Sequence, residues 1–138
     1  MTHWLGVVSA DHVRRGVELG IAQIGHGSRA GLARMRAGDG LVYYSARPTL
    51  GGTASLRAFT AVGRIADDEL WQADEGDFRP WRRRVDYETS ARQVALESVR
   101  AGLELTAGAH WGHQLRRGLV PLSDHDAQFL SSSMGAGW

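Results

Sequence analysis

The sequence contains no cysteine, which excludes disulfides, thiolate metal sites and a cysteine nucleophile. It contains no lysine either: all 16 basic residues are arginine. Schiff-base chemistry and the lysine of a phosphate-binding loop are excluded with it. No apolar run approaches the roughly 18 residues of a membrane span. Met1-Thr2-His3-Trp4 opens the chain with neither a basic leader nor a long apolar stretch, so no signal peptide is read there. A cytoplasmic protein without membrane contact is expected. The catalytic signatures G-x-S-x-G and H-E-x-x-H are missing, and Gly25-x-Gly27 lacks the third glycine of a dinucleotide loop.

What is present suits one domain. A chain of 138 residues buries roughly two-thirds of its unfolded surface, enough for a core. Apolar residues make up 43%, within the globular range. Sixteen arginines nearly balance 15 acids and leave a formal +1, which argues against gripping nucleic acid by bulk positive charge. That total hides segregation. Residues 67–78 hold six acids and no base, whereas residues 1–66 hold eight arginines against three acids. A localised arginine track is therefore compatible with the near-neutral sum.

Trp4-Leu5-Gly6-Val7-Val8 reads as a buried strand. Ser9 then caps a helix with Val13 and Val17 inward and Gly20 as its stop. Residues 21–24 suit a short strand and Gly25-His26-Gly27 a turn; Ser28 opens a short helix with Leu32 and Met35 inward, closed by Gly38. Residues 41–45 form an aromatic-rich strand, and residues 47–55, with Pro48, Gly51 and Gly52, a loop. Residues 58–65 read as a central strand, and 70–73 and 82–87 as further strands. Residues 89–105 have helical periodicity, with 94–96 equally able to extend a strand, and 113–122 is a strand candidate. Ser123 and Asp126 make an S-x-x-D cap on a final helix, and residues 131–138 are expected to fray. Six or seven short strands and three or four short helices, joined mostly by short turns, predict an α+β fold. It is a mixed curved sheet or pseudo-barrel with helices outside, spanning residues 1–138 as one domain.

His110 and His113 stand three residues apart, a ligand spacing on a helix, but Gly112 and the apolar run beyond favour strand or turn. The acids of Asp124-His125-Asp126 fall in a first helical turn, where the helix dipole accounts for them. No catalytic residue, metal or cofactor is assigned.

Taken in order, a series of motifs becomes specific. Trp4-Leu5-Gly6-Val7-Val8-Ser9 is followed by Gln23-Ile24-Gly25-His26-Gly27, Leu32-Ala33-Arg34-Met35 and Gly38-Asp39-Gly40-Leu41-Val42-Tyr43-Tyr44-Ser45. Phe59-Thr60-Ala61-Val62-Gly63, Pro80-Trp81-Arg82-Arg83-Arg84-Val85-Asp86-Tyr87, Trp111-Gly112 and Leu115-Arg116-Arg117-Gly118-Leu119 complete it. Together, over about residues 3–130, they resemble the EVE domain family in its small stand-alone bacterial form. The resemblance implies the PUA-like superfamily, with ASCH and YTH domains as relatives, and a five- or six-stranded curved sheet or pseudo-barrel with a pocket beside it. In YTH relatives such a pocket holds a modified base in an aromatic cage. The resemblance thus implies a non-catalytic module that reads a modified base in DNA or RNA. The chain departs from the family pattern where Ser28 and Gly31 replace a usual Lys and Pro, where Ala46-Arg47 precede Pro48, and where Trp81 replaces a common Tyr. The lost lysine removes one phosphate contact, and the loop change alters the pocket rim.

An unpaired base presents two π-faces and a polar edge, so its pocket needs aromatic walls and a few donors and acceptors. Ser9 aligns with the serine of the family's opening strand and either meets a base edge or only caps the helix. Gln23 carries a two-way amide suited to base edges, or is a plain outward polar residue. His26 is either within ligand reach or a turn residue. Tyr43 and Tyr44 point to opposite faces of one strand, so one belongs to the core and the other to the pocket, with Ser45 beside them. Phe59 and Thr60 split likewise, with core as the competing place for Phe59. Trp111, beside Gly112, is the leading cage candidate, against use as a core plug. Trp4 and Trp71 go to core or sheet surface. Arg29, Arg82, Arg83, Arg84, Arg116 and Arg117 are the candidate phosphate contacts, against a solvated run paired with the acids of 67–78. The leading reading is a binder of modified-base DNA or RNA, monomeric or weakly dimeric. A nucleoside or planar-metabolite binder is the alternative, and a nucleic-acid-processing enzyme ranks last.

Overall fold

Residues 40–45 and 58–65 are apolar at nearly successive positions rather than at every second one, the pattern of strands covered on both faces, whereas residues 81–87 alternate. In the computed structural model, which describes residues 1–138, the elements in chain order are β1 (His3–Val7), α1 (Ala10–Leu19), β2 (Ile21–Ala22), α2 (Arg29–Leu32), β3 (Gly40–Ser45), β4 (Ala58–Ile65), β5 (Trp71–Gln72), β6 (Trp81–Tyr87), β7 (Val94–Ala95), α3 (Leu96–Val99), β8 (Leu119–Leu122) and α4 (Asp124–Ser133). The strands make one curved eight-stranded sheet in the order β2-β6-β4-β3-β1-β8, with β5 added to β6 and β7 to β4. β1 and β3 run parallel; every other pair is antiparallel.

Two cores result. Leu5, Val42, Tyr44, Phe59 and Val120 face α3, the turns around it and α4. Trp4, Leu41, Tyr43, Ala61, Val85 and Leu119 face α1 and α2, which add Val13 and Leu32. No helix is long and apolar enough to cross a membrane.

A parallel pair has no tight hairpin to set its register. Here the buried Asp39 carboxylate does so. Oδ1 accepts from the Thr2 amide at 3.2 Å, and Oδ2 accepts from Trp4 Nε1 at 3.0 Å and from the Arg36 amide at 2.9 Å. The start of β1 is thereby tied to the turn entering β3. Burial raises the Asp39 carboxyl, but the Trp4, Arg36 and Thr2 hydrogen bonds and the N-terminal charge outweigh it, and its pKa lies below the ordinary 3.8.

Three expectations are corrected. Residues 89–105 are not one helix: Val94–Ala95 pair with the start of β4, and the Leu96 amide donates to the Arg57 carbonyl at 2.9 Å, so only Leu96–Val99 and the 3₁₀ turn Arg100–Gly102 wind. Strand pairing that the local period does not register has overridden it. Residues 113–122 are a strand only from Leu119. Before it, Trp111–Arg116 form a 3₁₀ turn that buries Leu115. Residues 131–138 do not fray: Ser131 and Met134 are fully buried, and the Trp138 ring lies 5.3 Å from His3 with the Arg64 guanidinium 4.8 Å over it. Gly40 makes room, since a Cβ there would meet His3 and Trp138 at 2.5 and 2.6 Å.

Hydrogen bonds to a charged acceptor contribute about 1.5–3 kcal/mol each, so Asp39→Ala is expected to lower the unfolding free energy by at least about 3 kcal/mol in urea denaturation. Because the folded carboxyl titrates below 3.8, its contribution is present above the unfolded value and is lost as pH falls through the folded one. Asp39→Asn is expected to flatten that acid limb of the stability–pH curve.

Candidate functional site

Gly6 is the Cα partner of Tyr43 in the parallel register. A Cβ at Gly6 would meet the Tyr43 ring at 2.8 Å, so this glycine lets the ring lie across β1. The Tyr43 and Tyr87 rings stack at 6.4 Å, and the Tyr87 hydroxyl donates to the Ile21 carbonyl at 2.7 Å. Burial pushes the Tyr43 hydroxyl up to about 12, against the Tyr87 hydroxyl and the Gln23 backbone, which favour ionisation. Burial, and then the neighbouring Tyr43, push Tyr87 well above 10.0.

Beside Tyr43 lies a cavity of about 660 Å³, a volume typical of small-molecule sites. One helix face supplies Ser9, His12, Val13 and Gly16, which recur at helical spacing. The turn after β2 supplies Gln23 and His26. Its three residues Gly25, His26 and Gly27 have φ of 59, 58 and 85°. A Cβ at Gly27 would meet Pro80 at 2.6 Å, and the Trp81 amide donates to the Gly27 carbonyl at 2.9 Å, so the turn is seated against the start of β6. At the mouth stand two exposed apolar side chains, Leu50 and Phe78.

Four arginines line the cavity, Arg15, Arg82, Arg116 and Arg117, against one acid, Glu75. Glu75 holds Arg15 at 2.5 Å and Arg82 at 3.1 Å. Arg82 Nε donates to Gln23 Oε1 at 3.0 Å, which fixes the amide and leaves its NH₂ donors for a ligand. Arg117 meets only Gln114 Oε1 at 3.5 Å, and neither it nor Arg116 forms an ion pair.

The cavity brings together Ser9, Gln23, His26, Tyr43, Arg82, Arg116 and Arg117. The other expected site residues lie elsewhere. Phe59 is fully buried in the opposite core, edge-on to Tyr44 at 5.4 Å. Ser45 and Thr60 hydrogen-bond each other at 2.8 Å, and Ser45 donates to the Val8 carbonyl at 2.7 Å, so they join β3, β4 and the end of β1. Tyr44, Trp111 and Gly112 line a second cavity. All five tryptophans carry an arginine over one face at 4.8 to 5.5 Å; on Trp111 it is Arg100.

The Arg82-Arg83-Arg84 track is broken by its own strand. Arg83 points inward, 3% exposed, and donates to the Leu32, Met35 and Asp67 carbonyls at 3.2, 2.8 and 2.7 Å. Arg84 pairs with Glu69 at 2.5 Å and Asp67 at 3.3 Å and covers Trp71. Arg29 lies over Trp81 beside a different depression.

Sequence reasoning missed His12, Arg15, Leu50, Glu75 and Phe78. Helical spacing from Ser9 marks His12, and a phenylalanine inside an acidic run is a costly thing to expose; both signals were available. Elsewhere, Glu104, His125 and Asp126 bring ligand atoms within 4.8 Å of one another. The Asp126 oxygens already accept from the Glu104 and Leu105 amides at 2.8 Å, so its carboxylate pins that loop to the start of α4.

The EVE domain family model matches residues 2–133. The UPF0310 protein of Renibacterium salmoninarum is 55% identical over 131 residues, 95% of this chain and 94% of its own length. The UPF0310 protein of Streptococcus mutans is 44% identical over 132 residues, 95% of each. Among solved structures, human THYN1 in complex with 5-methylcytosine-containing DNA matches with a TM-score of 0.54 at 14% identity, over 100% of both chains. The complex of the YTH domain-containing protein mmi1 with RNA matches with a TM-score of 0.61 at 8% identity, over 96% of this chain and 80% of that one. These likenesses bear out the expected PUA-like α+β fold.

All three tyrosines are raised above 10.0, Tyr44 chiefly by burial. A raised folded pKa gives stability that is complete below the unfolded value and is lost as pH rises through the folded one. Ultraviolet absorbance is therefore expected to show tyrosinate forming at higher pH than in the unfolded chain, with the Tyr43 step near 12 accompanied by loss of stability. In Tyr43→Phe the late step should shrink.

Proposed function

The chain belongs to the EVE domain family, and we propose that its larger cavity receives one modified nucleobase from a DNA or RNA strand in the cytoplasm and holds it without chemical change. One observation carries this reading. Apolar walls at Val7 and Val13, polar edge readers at Ser9 and Gln23, the Tyr43 ring and an exposed aromatic, Phe78, all converge on a single cavity of about 660 Å³ rimmed by arginine. Human THYN1 with 5-methylcytosine-containing DNA and the YTH protein mmi1 with RNA, two proteins of this fold that hold nucleic acid, support it. Binding rather than catalysis is favoured by the state of Ser9. Its hydroxyl donates to Asp11 Oδ1 at 2.7 Å, and that bond holds the Asp11 carboxyl below its ordinary value, which makes the carboxylate a weak general base.

A second reading, a binder of free nucleosides or other planar metabolites, is favoured by the engagement of Arg83 and Arg84 within the protein, which shortens the expected phosphate track.

Titration against single-stranded DNA and RNA carrying 5-methylcytosine, 5-hydroxymethylcytosine, methylated adenine or only unmodified bases tests the first reading. One modified base should bind at least about tenfold more tightly than its parent. Phe78→Ala should weaken that binding about tenfold to a hundredfold, the scale of one stacked base. Equal weak binding to all strands, indifferent to Phe78→Ala and Gln23→Ala, would overturn it. Tight nucleoside binding with no salt-dependent oligonucleotide binding would select the second reading.

Glu75 occupies the two arginines that a ligand phosphate would meet. Glu75→Gln is expected to tighten binding of a nucleoside 5′-monophosphate by about tenfold while leaving the uncharged nucleoside unchanged, as read by calorimetry.

A further inference from the structure

Arg116 lines two cavities. Its far side opens on the second one, about 420 Å³, which Arg47 and Arg57 line together with Trp111 and which no carboxylate lines. The arginines differ in their engagement. Arg57 pairs with Glu97 at 3.2 Å, Arg47 donates to the Gly52 carbonyl, and Arg116 makes no ion pair. The Thr53 and Ser55 hydroxyls in the same lining make no hydrogen bond to the protein. Arg100 covers one face of Trp111 at 4.8 Å, which holds the indole in place as a platform.

Arg57 also carries backbone strain. Its φ is 54°, a left-handed conformation that a residue with a Cβ adopts only at a cost. The strain is maintained by two hydrogen bonds: the Arg57 amide donates to the Ala46 carbonyl at 3.2 Å, and the Leu96 amide donates to the Arg57 carbonyl at 2.9 Å. Strained residues over-determined by their surroundings concentrate at ligand sites.

We propose that the second cavity is a nucleic-acid subsite for the nucleotide flanking the base in the first cavity. The connecting phosphodiester crosses Arg116. The next phosphate meets Arg47 and Arg57, and its base lies against Trp111. This rests on the first cavity being a base site, and it commits the ligand to a single strand. A free nucleoside would leave Arg47, Arg57 and Trp111 unused. An acidic peptide would engage the arginines but has no flat group to match the indole.

The test compares a single-stranded DNA octamer carrying one central 5-methylcytosine with the corresponding 5-methyl-2′-deoxycytidine 5′-monophosphate. The proteins are the wild type, Arg47→Gln/Arg57→Gln and Trp111→Ala, each checked by circular dichroism. Each single-strand phosphate contact adds about 0.7 to the slope of log affinity against log salt. The double variant is expected to lose about tenfold in octamer affinity and at least one such increment of slope, with monophosphate binding unchanged. Trp111→Ala should lose about tenfold for the octamer without a change of slope. The proposal is overturned if the wild type does not bind the octamer, or if the double variant binds it with wild-type affinity and slope. It is also overturned if poly-glutamate depends on the same arginines while Trp111→Ala changes nothing. Octamer binding that needs Arg47 and Arg57 in a protein that ignores the monophosphate would uphold the groove and count against the base reading of the first cavity.

Discussion

The Asp39 carboxylate governs the geometry of this protein because it fixes a parallel strand pair that no hairpin could fix. By accepting from the Thr2 amide, Trp4 Nε1 and the Arg36 amide, it sets Gly6 opposite Tyr43. Side chains alternate along a strand, so a slip of one residue would send every side chain of the slipped strand to the other face. If β3 slipped, Tyr43 would enter the core now holding Tyr44, and the cavity would lose its floor. The glycine at position 6 matters for the same reason, since only a residue without Cβ lets the Tyr43 ring cross β1. One buried acid, one glycine and one tyrosine thus connect the N-terminal strand to the site.

The absence of lysine has a second consequence. A guanidinium is planar, always charged and able to stack, whereas an ammonium is a compact hydrated point charge. This chain uses each property. Every tryptophan is faced by an arginine. Arg83 enters the interior because its fork reaches three backbone carbonyls left open near the end of α2 and at Asp67. Arg84 is committed to Asp67 and Glu69, and Arg15 and Arg82 to Glu75. The acidic segment 67–78 therefore folds back as the counter-charge of the arginines nearest to it. Arg116 and Arg117 stay outside its reach. The net +1 reflects internal neutralisation of some arginines beside others, such as Arg116 and Arg117, that form no ion pair.

This division explains what was legible in the sequence. Helix starts at Ser9, Ser28 and Ser123 and the strand over 58–65 could be read because serine position and short apolar runs are local signals, although only the Ser123 side chain makes a cap bond, accepting from the Asp126 amide, while Ser9 and Ser28 make none. Ser9, Gln23, His26 and one of Tyr43 and Tyr44 could be placed near one another through the family resemblance, whose motifs lie at the ends of β1 and β2 and along β3; which tyrosine faces the cavity depends on the strand register. The arginine run could not be resolved, because whether Arg83 meets a phosphate or a carbonyl depends on where α2 ends in space. The cavity that Trp111 lines was hidden for a similar reason: an indole beside a glycine gives no hint that the chain winds there into a 3₁₀ turn under Arg100. The tail was misread because Met134 and Trp138 are held by Arg64 and His3 and by the core around β1 and β3, far away in sequence.

The two halves of the larger cavity differ in how they are held, and this assigns them different work. Its floor, the buried Tyr43 stacked on the partly buried Tyr87 behind it, lies on the sheet. Its mouth, Leu50 and Phe78, lies on connecting segments with half or more of one side chain in water. On the proposed reading, a rigid floor enforces a shape, so discrimination between one base and its modified form, a difference of a methyl or hydroxymethyl group, would fall to Tyr43 and the fixed Gln23 amide. An exposed aromatic stacks on any base, so on that reading Phe78 would add affinity without choosing. Arg116 and Arg117, the rim arginines without an ion pair, would on the same reading meet phosphate and place the strand without carrying sequence information.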